Sequence, residues 1–167
     1  MSHYYHTGMR NVFVGADVAT GVFLLCYRGY GLQDRIVASL AGLSAILVAF
    51  FPIALEGEFS EAMLLASKIH VAAALLFLLC LAYFCLVLFV RSGEGLELSQ
   101  KKKRHNLIYR ICGINIVMVI IAVITYGEIS AVHEYFAATP FIFFLELIAF
   151  WSFGLAWLVK GRALGAA

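Results

Sequence analysis

Long apolar stretches separated by short polar loops dominate this chain. Five such stretches occur, and each is close to the roughly 20 residues that a helix needs to cross a bilayer core. They are filled by Leu, Ala, Val and Phe, without the alternation of apolar and polar residues that a membrane β-strand shows. The pattern therefore predicts an all-α integral membrane bundle of five transmembrane helices, at residues 11–27, 36–55, 62–90, 107–126 and 140–159.

Composition supports the same class of protein. Of the 167 residues, 63% are hydrophobic and 13% are charged, and mean hydropathy is +0.95. A soluble domain is about half apolar and a quarter charged. The loops are too short for a soluble domain, so we expect residues 1–167 to form a single transmembrane helical domain among membrane lipids. The net charge of +2 gives no reason to expect a nucleic-acid partner.

Charged residues are distributed unevenly between alternate loops. Arg28 and Arg35 follow the first stretch, the basic run 101–104 follows the third, and Lys160 follows the fifth. The other loops carry the acidic residues Glu56, Glu58, Glu61, Glu128 and Glu134. Because cytoplasmic loops are enriched in Lys and Arg, the N-terminus is predicted outside and the C-terminus inside. We expect the first stretch to remain as an anchor, since it has no basic leader and no small-residue cleavage site.

Small residues recur along one face of the second stretch, at positions three or four apart. They are Ala38, Ala41, Gly42, Ala45 and Ala49. Such a stripe lets helix backbones approach closely, where van der Waals packing holds membrane helices together. The stripe predicts close packing of helices within the chain, and a lipid or a second copy of the protein are the alternative occupants.

Three ionisable side chains lie inside otherwise apolar stretches: Asp17, His70 and Glu146. A carboxylate at the bilayer centre costs about 2.5–3.5 kcal/mol, so such residues need partners, a wet cavity or a function. At ~1.5 Å of rise per residue, Asp17 and Glu146 each lie about 10 Å inside the outer boundary. We therefore predict that the three side chains meet in the outer half of the membrane, as a hydrogen-bonded polar network or as a ligand site.

A divalent metal is an alternative occupant of the same region, because imidazole and carboxylate groups are metal ligands. The candidate ligands are His3, His6, Asp17, His70, His133 and Glu146. Their spacing matches no short ligand motif such as H-x-x-H or H-E-x-x-H. Haem is disfavoured because only His70 lies well inside a stretch, and retinal is disfavoured because no lysine lies in mid-membrane.

A polar turn joins the first two stretches on the predicted inner side. Gly29 and Gly31 permit the reversal of the chain. The guanidinium groups of Arg28 and Arg35 suit the phosphate of a phospholipid. The alternative is a solvated helix hairpin with a local ion pair between arginine and Asp34.

Three functions remain open on these features. The first is a multi-pass membrane protein that acts as a subunit of a membrane complex or as a module that binds a lipid or small ligand. The second is a metal-dependent, hydrolase-like intramembrane enzyme that acts on a lipid or small amphiphile. The third is a small-solute or proton carrier built as a homo-oligomer. Whether the protein is an enzyme is left undecided, and no catalytic residue is assigned.

Several short motifs give the chain a resemblance to known proteins. They include Tyr4-Tyr5-His6-Thr7-Gly8-Met9-Arg10, Tyr27-Arg28-Gly29-Tyr30 and Tyr109-Arg110-Ile111-Cys112-Gly113. These motifs resemble a broad group of small bacterial multi-helix membrane proteins, usually six-helical, with one more helix before the Tyr-Tyr segment. The resemblance implies a bacterial cytoplasmic membrane, an important outer N-terminal segment, and either a natural five-helix version or a shortened one. It implies no activity.

Overall fold

The fold is that of a computed structural model, which describes residues 8–54, 60–91 and 99–161. Over these ranges the chain is helical and contains no strand, which confirms the all-α prediction. Its α-helices are α1 (Arg10–Cys26), α2 (Leu32–Phe50), α3 (Glu61–Tyr83), α4 (Gln100–Glu128), α5 (Ser130–Phe136) and α6 (Phe141–Lys160). A π-helical segment, Phe84–Leu88, continues α3.

Among the described residues, four helical stretches are long and apolar enough to cross a membrane. They are Leu32–Phe50, Glu61–Leu88, Gln100–Glu128 and Phe141–Lys160. These stretches are consistent with integration into a membrane, as the apolar composition predicts. Helix α1 has 17 residues and is not among the four, so five crossings and the orientation of the termini stay predictions.

The ends of α2 differ from the sequence prediction. The helix runs over Leu32–Phe50 instead of 36–55. It ends early because Pro52 lacks an N–H and disfavours the helical conformation of Phe51, which is extended, with φ −102° and ψ 108°. It begins early with Asp34 in its first turn, where the positive end of the helix dipole favours a carboxylate.

Helix α4 also begins before its predicted start at residue 107. The backbone N–H of Lys102 donates to Oγ of Ser99 at 3.2 Å, so Ser99 caps a helix that starts at Gln100. Lysine and arginine are good helix formers, and the basic run therefore extends the helix beyond its apolar part. The seven-residue helix α5 between the last two long helices was not predicted.

The chain forms two compact units, Met1–Cys80 and Leu81–Ala167, which are described separately. In the first unit, α1 packs against α2 where Gly21 meets Gly42. A Cβ atom on Gly21 would lie 2.8 Å from the carbonyl oxygen of Gly42, and one on Gly42 would lie 2.7 Å from that of Gly21. The small-residue stripe of α2 thus takes part in packing within the chain, and its alanines are buried.

In the second unit, α4 packs against α6 and against the π-helical segment. Five rings form an aromatic cluster at one end of these elements, with centroids 5.4–6.3 Å apart in the contacting pairs: Phe84, Phe89, Tyr109, Phe153 and Trp157. Gly113 lets α4 approach the π-helical segment, because a Cβ there would lie 2.5 Å from Cγ of Leu86. The prediction of a single domain stays a prediction.

Candidate functional site

Asp17 lies on the face of α1 that packs against α2. It shares this face with Gly21 and Leu24, the other buried residues of the helix, at intervals of about one helical turn. The residue is 8% exposed, and its Oδ2 atom has no hydrogen-bond partner in the part of the chain that the structure describes. A buried acceptor without a donor costs about 1–3 kcal/mol, and more when it is charged.

Two residues of α2 near the level of Asp17, Ile46 and Ala49, are apolar. Asp17 precedes Gly21 by one helical turn on α1, and Ile46 follows Gly42 by one turn on α2, so both lie about 6 Å from the contact between the two glycines. Ala49 continues the same buried face of α2. Both side chains are apolar, so neither can donate a hydrogen bond to the carboxyl group of Asp17.

His70 is a buried histidine on α3, with 2% exposure. Its Nδ1 atom donates a hydrogen bond to the carbonyl oxygen of Phe51, at 2.6 Å. Because α2 ends at Phe50, the carbonyl groups at this end have no backbone N–H of a following helical turn to bond with. The imidazole of His70 provides a donor for the carbonyl oxygen of Phe51. The ring thus joins α3 to the end of α2, and this bond fixes a proton on Nδ1.

Glu146 lies on α6 in the second unit and is half-buried. Asp17 and His70 belong to the first unit. The predicted meeting of all three side chains in one network or ligand site therefore stays a prediction. What the structure shows is a buried carboxyl group and a hydrogen-bonded imidazole within the unit built from α1, α2 and most of α3.

The remaining candidate metal ligands are spread along the chain. His133 lies on α5, where its ring centroid is 4.8 Å from that of Tyr126, and His3 and His6 lie outside the described residues. Among residues 8–54, 60–91 and 99–161, no group of three His, Cys, Asp or Glu side chains is placed to hold a metal ion. The metal site stays a prediction.

The turn between α1 and α2 is built around Gly29, whose φ is +56°. A Cβ atom there would collide with Cβ of the buried Asp34, so both the positive φ and the lack of space require glycine at this position. Burial raises the pKa of Tyr27, and the carboxylate of Asp34 adds to the rise. Arg28 and Arg35 are exposed, and their predicted binding of a lipid phosphate stays a prediction.

Two lysines of the second unit converge on one backbone oxygen, an arrangement that sequence reasoning missed. Nζ of Lys102 donates to the carbonyl oxygen of Phe89 at 3.1 Å, and Nζ of Lys160 donates to the same atom at 3.4 Å. In the sequence both lysines look like residues that only set membrane orientation. A backbone acceptor carries no signal in the sequence, so nothing in the chain indicates that the two would meet.

Asn106 is the second polar group that the sequence did not single out. It lies one helical turn after Lys102 on α4 and three residues before Tyr109, a member of the aromatic cluster. The residue is 9% exposed, and its Oδ1 atom has no hydrogen-bond partner among the described residues. Asn106 is thus a buried polar group whose amide oxygen is unsatisfied among the described residues.

Comparison with known proteins adds no relative to this description. No protein-family model matches the chain, and neither a curated protein nor a solved structure matches it.

Proposed function

We propose that this protein is a multi-pass membrane module that binds a lipid or another small amphiphile, with Asp17 as the group that holds the ligand. The observation that carries the proposal is the buried Oδ2 atom of Asp17, which lacks a hydrogen-bond partner in the described chain. A ligand that brings a hydroxyl or ammonium donor would satisfy this oxygen. The membrane is proposed to be the bacterial cytoplasmic membrane.

The chemistry of the ligand follows from the surroundings of Asp17. Ile46 and Ala49 place hydrocarbon on the α2 face at this level, which suits the chain of an amphiphile. The carboxyl group needs a donor, because it is an acceptor-only group when ionised. An alkyl chain with a hydroxyl or amino group close to its polar end meets both requirements. The protein is expected to be a ligand carrier or a subunit of a membrane complex.

Native mass spectrometry of the full chain released from a mild detergent tests this proposal. The wild-type protein should carry a bound species of defined mass that Asp17→Ala loses. Asp34→Ala is the matched control. Asp34 is as buried as Asp17, at 7% exposure, but it lies in the first turn of α2, at the end of that helix away from Ile46 and Ala49. The control variant should retain the bound species.

A thermal measurement gives an independent readout of the same binding. After lipid removal, adding back the total lipid extract of the expression host should raise the melting temperature of the wild-type protein and of Asp34→Ala. It should leave that of Asp17→Ala unchanged. Equal shifts in all three proteins, or a wild-type protein without any bound species, would rule out Asp17 as the ligand-holding group.

A further inference from the structure

Asn106 is a buried polar residue at the end of the second unit where three elements meet. Lys102, near the start of α4, and Lys160, at the end of α6, both donate to the carbonyl oxygen of Phe89, which follows the π-helical segment. These residues define the basic end of the second unit. Asn106 lies one helical turn after Lys102 on α4. It is 9% exposed, and its Oδ1 atom has no hydrogen-bond partner among the described residues. A buried acceptor of this kind needs a donor.

The length of α4 puts Asn106 at the level of lipid headgroups. The helix has 29 residues, which span about 43 Å at the usual helical rise, whereas the hydrocarbon core of a bilayer is about 30 Å thick. The apolar part of the helix, residues 107–126, spans about 30 Å by itself. The cationic residues 101–104 precede it. Asn106 therefore lies between the charged turn and the hydrocarbon, where the polar part of a lipid is found.

The amide oxygen of Asn106 lacks the partner that a purely structural residue would have. A polar residue that only joined membrane helices would form a hydrogen bond across their interface, but no described residue donates to this oxygen. We infer that the basic end binds an anionic lipid whose headgroup carries hydroxyl groups, and that Asn106 accepts a hydrogen bond from one of them. Phosphatidylglycerol, with a glycerol group on its phosphate, has this chemistry.

Charge at the basic end distinguishes between the kinds of donor. An amide oxygen accepts a hydrogen bond from a hydroxyl group or from an ammonium group. Four cationic side chains, at residues 101–104, lie within the five residues of α4 before Asn106, and they repel an ammonium headgroup. They attract the phosphate of an anionic lipid. A neutral hydroxyl group attached to a phosphate therefore fits this end of the unit, and the ammonium group of phosphatidylethanolamine does not.

Two lipids that differ in their headgroup hydroxyls test the site. Phosphatidylglycerol and phosphatidylmethanol with the same acyl chains carry the same charge, but the methyl group of the second has no donor. Each lipid is added to the full chain in dodecyl maltoside micelles, and the dissociation constant is measured by native mass spectrometry. The wild-type protein should bind phosphatidylglycerol about fivefold more tightly, which is the effect of one hydrogen bond of ordinary strength.

Asn106→Leu keeps the size of the side chain and removes the acceptor. This variant should bind the two lipids equally, because the hydroxyl group no longer has a partner. Asn115→Leu is the matched control, since Asn115 is an exposed asparagine of the same helix, and it should keep the preference for phosphatidylglycerol. Asn106→Asp retains an oxygen that accepts a hydrogen bond. It should also keep the preference, even though its charge weakens the binding of both lipids.

The ratio of the two affinities within one protein separates recognition from folding, since a poorly folded variant binds both lipids less. Equal binding of the two lipids by the wild-type protein would overturn the site, and is expected if water alone occupies the place beside the oxygen. An undiminished preference in Asn106→Leu would also overturn it. So would loss of the preference in Asn115→Leu or Asn106→Asp, or tighter binding of phosphatidylethanolamine than of phosphatidylglycerol.

Asp17→Ala distinguishes this site from the one in the proposed function. Asp17 belongs to the first unit and Asn106 to the second, so Asp17→Ala should show the same preference for phosphatidylglycerol as the wild-type protein. If Asp17→Ala loses the preference while Asn106→Leu keeps it, the hydroxyl group binds at Asp17. That result would overturn the site at Asn106 and support the proposed function.

Discussion

His70 is fixed by a bond to the backbone, and this bond predicts the effect of replacing the residue. His70→Phe keeps a ring of similar size but leaves the partly buried carbonyl oxygen of Phe51 without the Nδ1 donor. We expect the free energy of unfolding in detergent to fall by about 1 kcal/mol, the net contribution of one hydrogen bond. Thermal or denaturant-induced unfolding, followed by circular dichroism, measures the change.

His133→Phe is the control for this substitution. The ring of His133 is half-buried and contacts Tyr126, and phenylalanine preserves a ring contact there. The free energy of unfolding should change by less than about 0.5 kcal/mol, as at most surface positions. If both variants lose the same stability, the bond from His70 to Phe51 contributes nothing of its own.

At this scale the sequence identifies residues but not their partners. Asp17 and His70 stand out because a titratable side chain within an apolar run is costly, and the structure buries both. The acceptor of His70 is a main-chain oxygen, as is the acceptor shared by Lys102 and Lys160. Every residue has such an oxygen, so no pattern of side chains could have indicated these bonds.

Helices α1 and α2 touch through their backbones, which makes the contact sensitive to a single methyl group. In Gly21→Ala the new Cβ would lie 2.8 Å from the carbonyl oxygen of Gly42 and 2.7 Å from Cγ1 of Ile46. Because the backbone of α2 must move away, we expect a loss of about 1–3 kcal/mol in the free energy of unfolding. Denaturant titration of the detergent-solubilised protein measures it.

Gly15→Ala is the matched control on the same helix. Outside the backbone of its own helix, no atom of the described residues would lie within 4 Å of a Cβ at Gly15, so only the helix propensity changes. Alanine is favoured over glycine by up to about 1 kcal/mol in a helix, and stability should stay level or rise. A loss of stability in Gly15→Ala equal to that in Gly21→Ala would show that the close contact between the helices is not the cause.

The sequence predicts the elements better than their ends. Hydrophobic runs indicate the five long helices, because a helix that is buried in lipid or protein needs apolar side chains along its length. The ends depend on single local interactions instead: Pro52 stops α2, and Ser99 starts α4 within a charged segment. The short helix α5 has no long apolar run, so the hydrophobic pattern does not report it.

Whether α1 crosses the membrane decides the topology of the whole chain. Single cysteines placed in a background without the four native ones test this with a membrane-impermeant maleimide. Gly8→Cys and Ser130→Cys should be labelled on intact cells. Tyr30→Cys and Gln100→Cys should be labelled only after the membrane is permeabilised, because the positive-inside rule places their loops in the cytoplasm.

The positions before and after α1 serve as controls for each other. If Gly8→Cys and Tyr30→Cys are labelled from the same side, α1 does not cross, and the four spans that length and composition support in the described part of the chain remain. If Tyr30→Cys and Gln100→Cys react on intact cells while Gly8→Cys does not, the orientation is the reverse of the prediction. The sequence indicates the topology only through charge, which acts during insertion rather than in the folded helices.

The two hydrogen bonds to the carbonyl oxygen of Phe89 become possible one after the other during translation. Lys102 follows it by 13 residues and Lys160 by 71. During synthesis from the N-terminus, the first lysine can reach the oxygen while α6 is still unmade. Lys160 is synthesised only after α4, α5 and the rest of α6. A nascent chain arrested before Lys160 therefore lacks the bond that joins the end of α6 to Phe89, and the second unit is incomplete until Lys160 has been made.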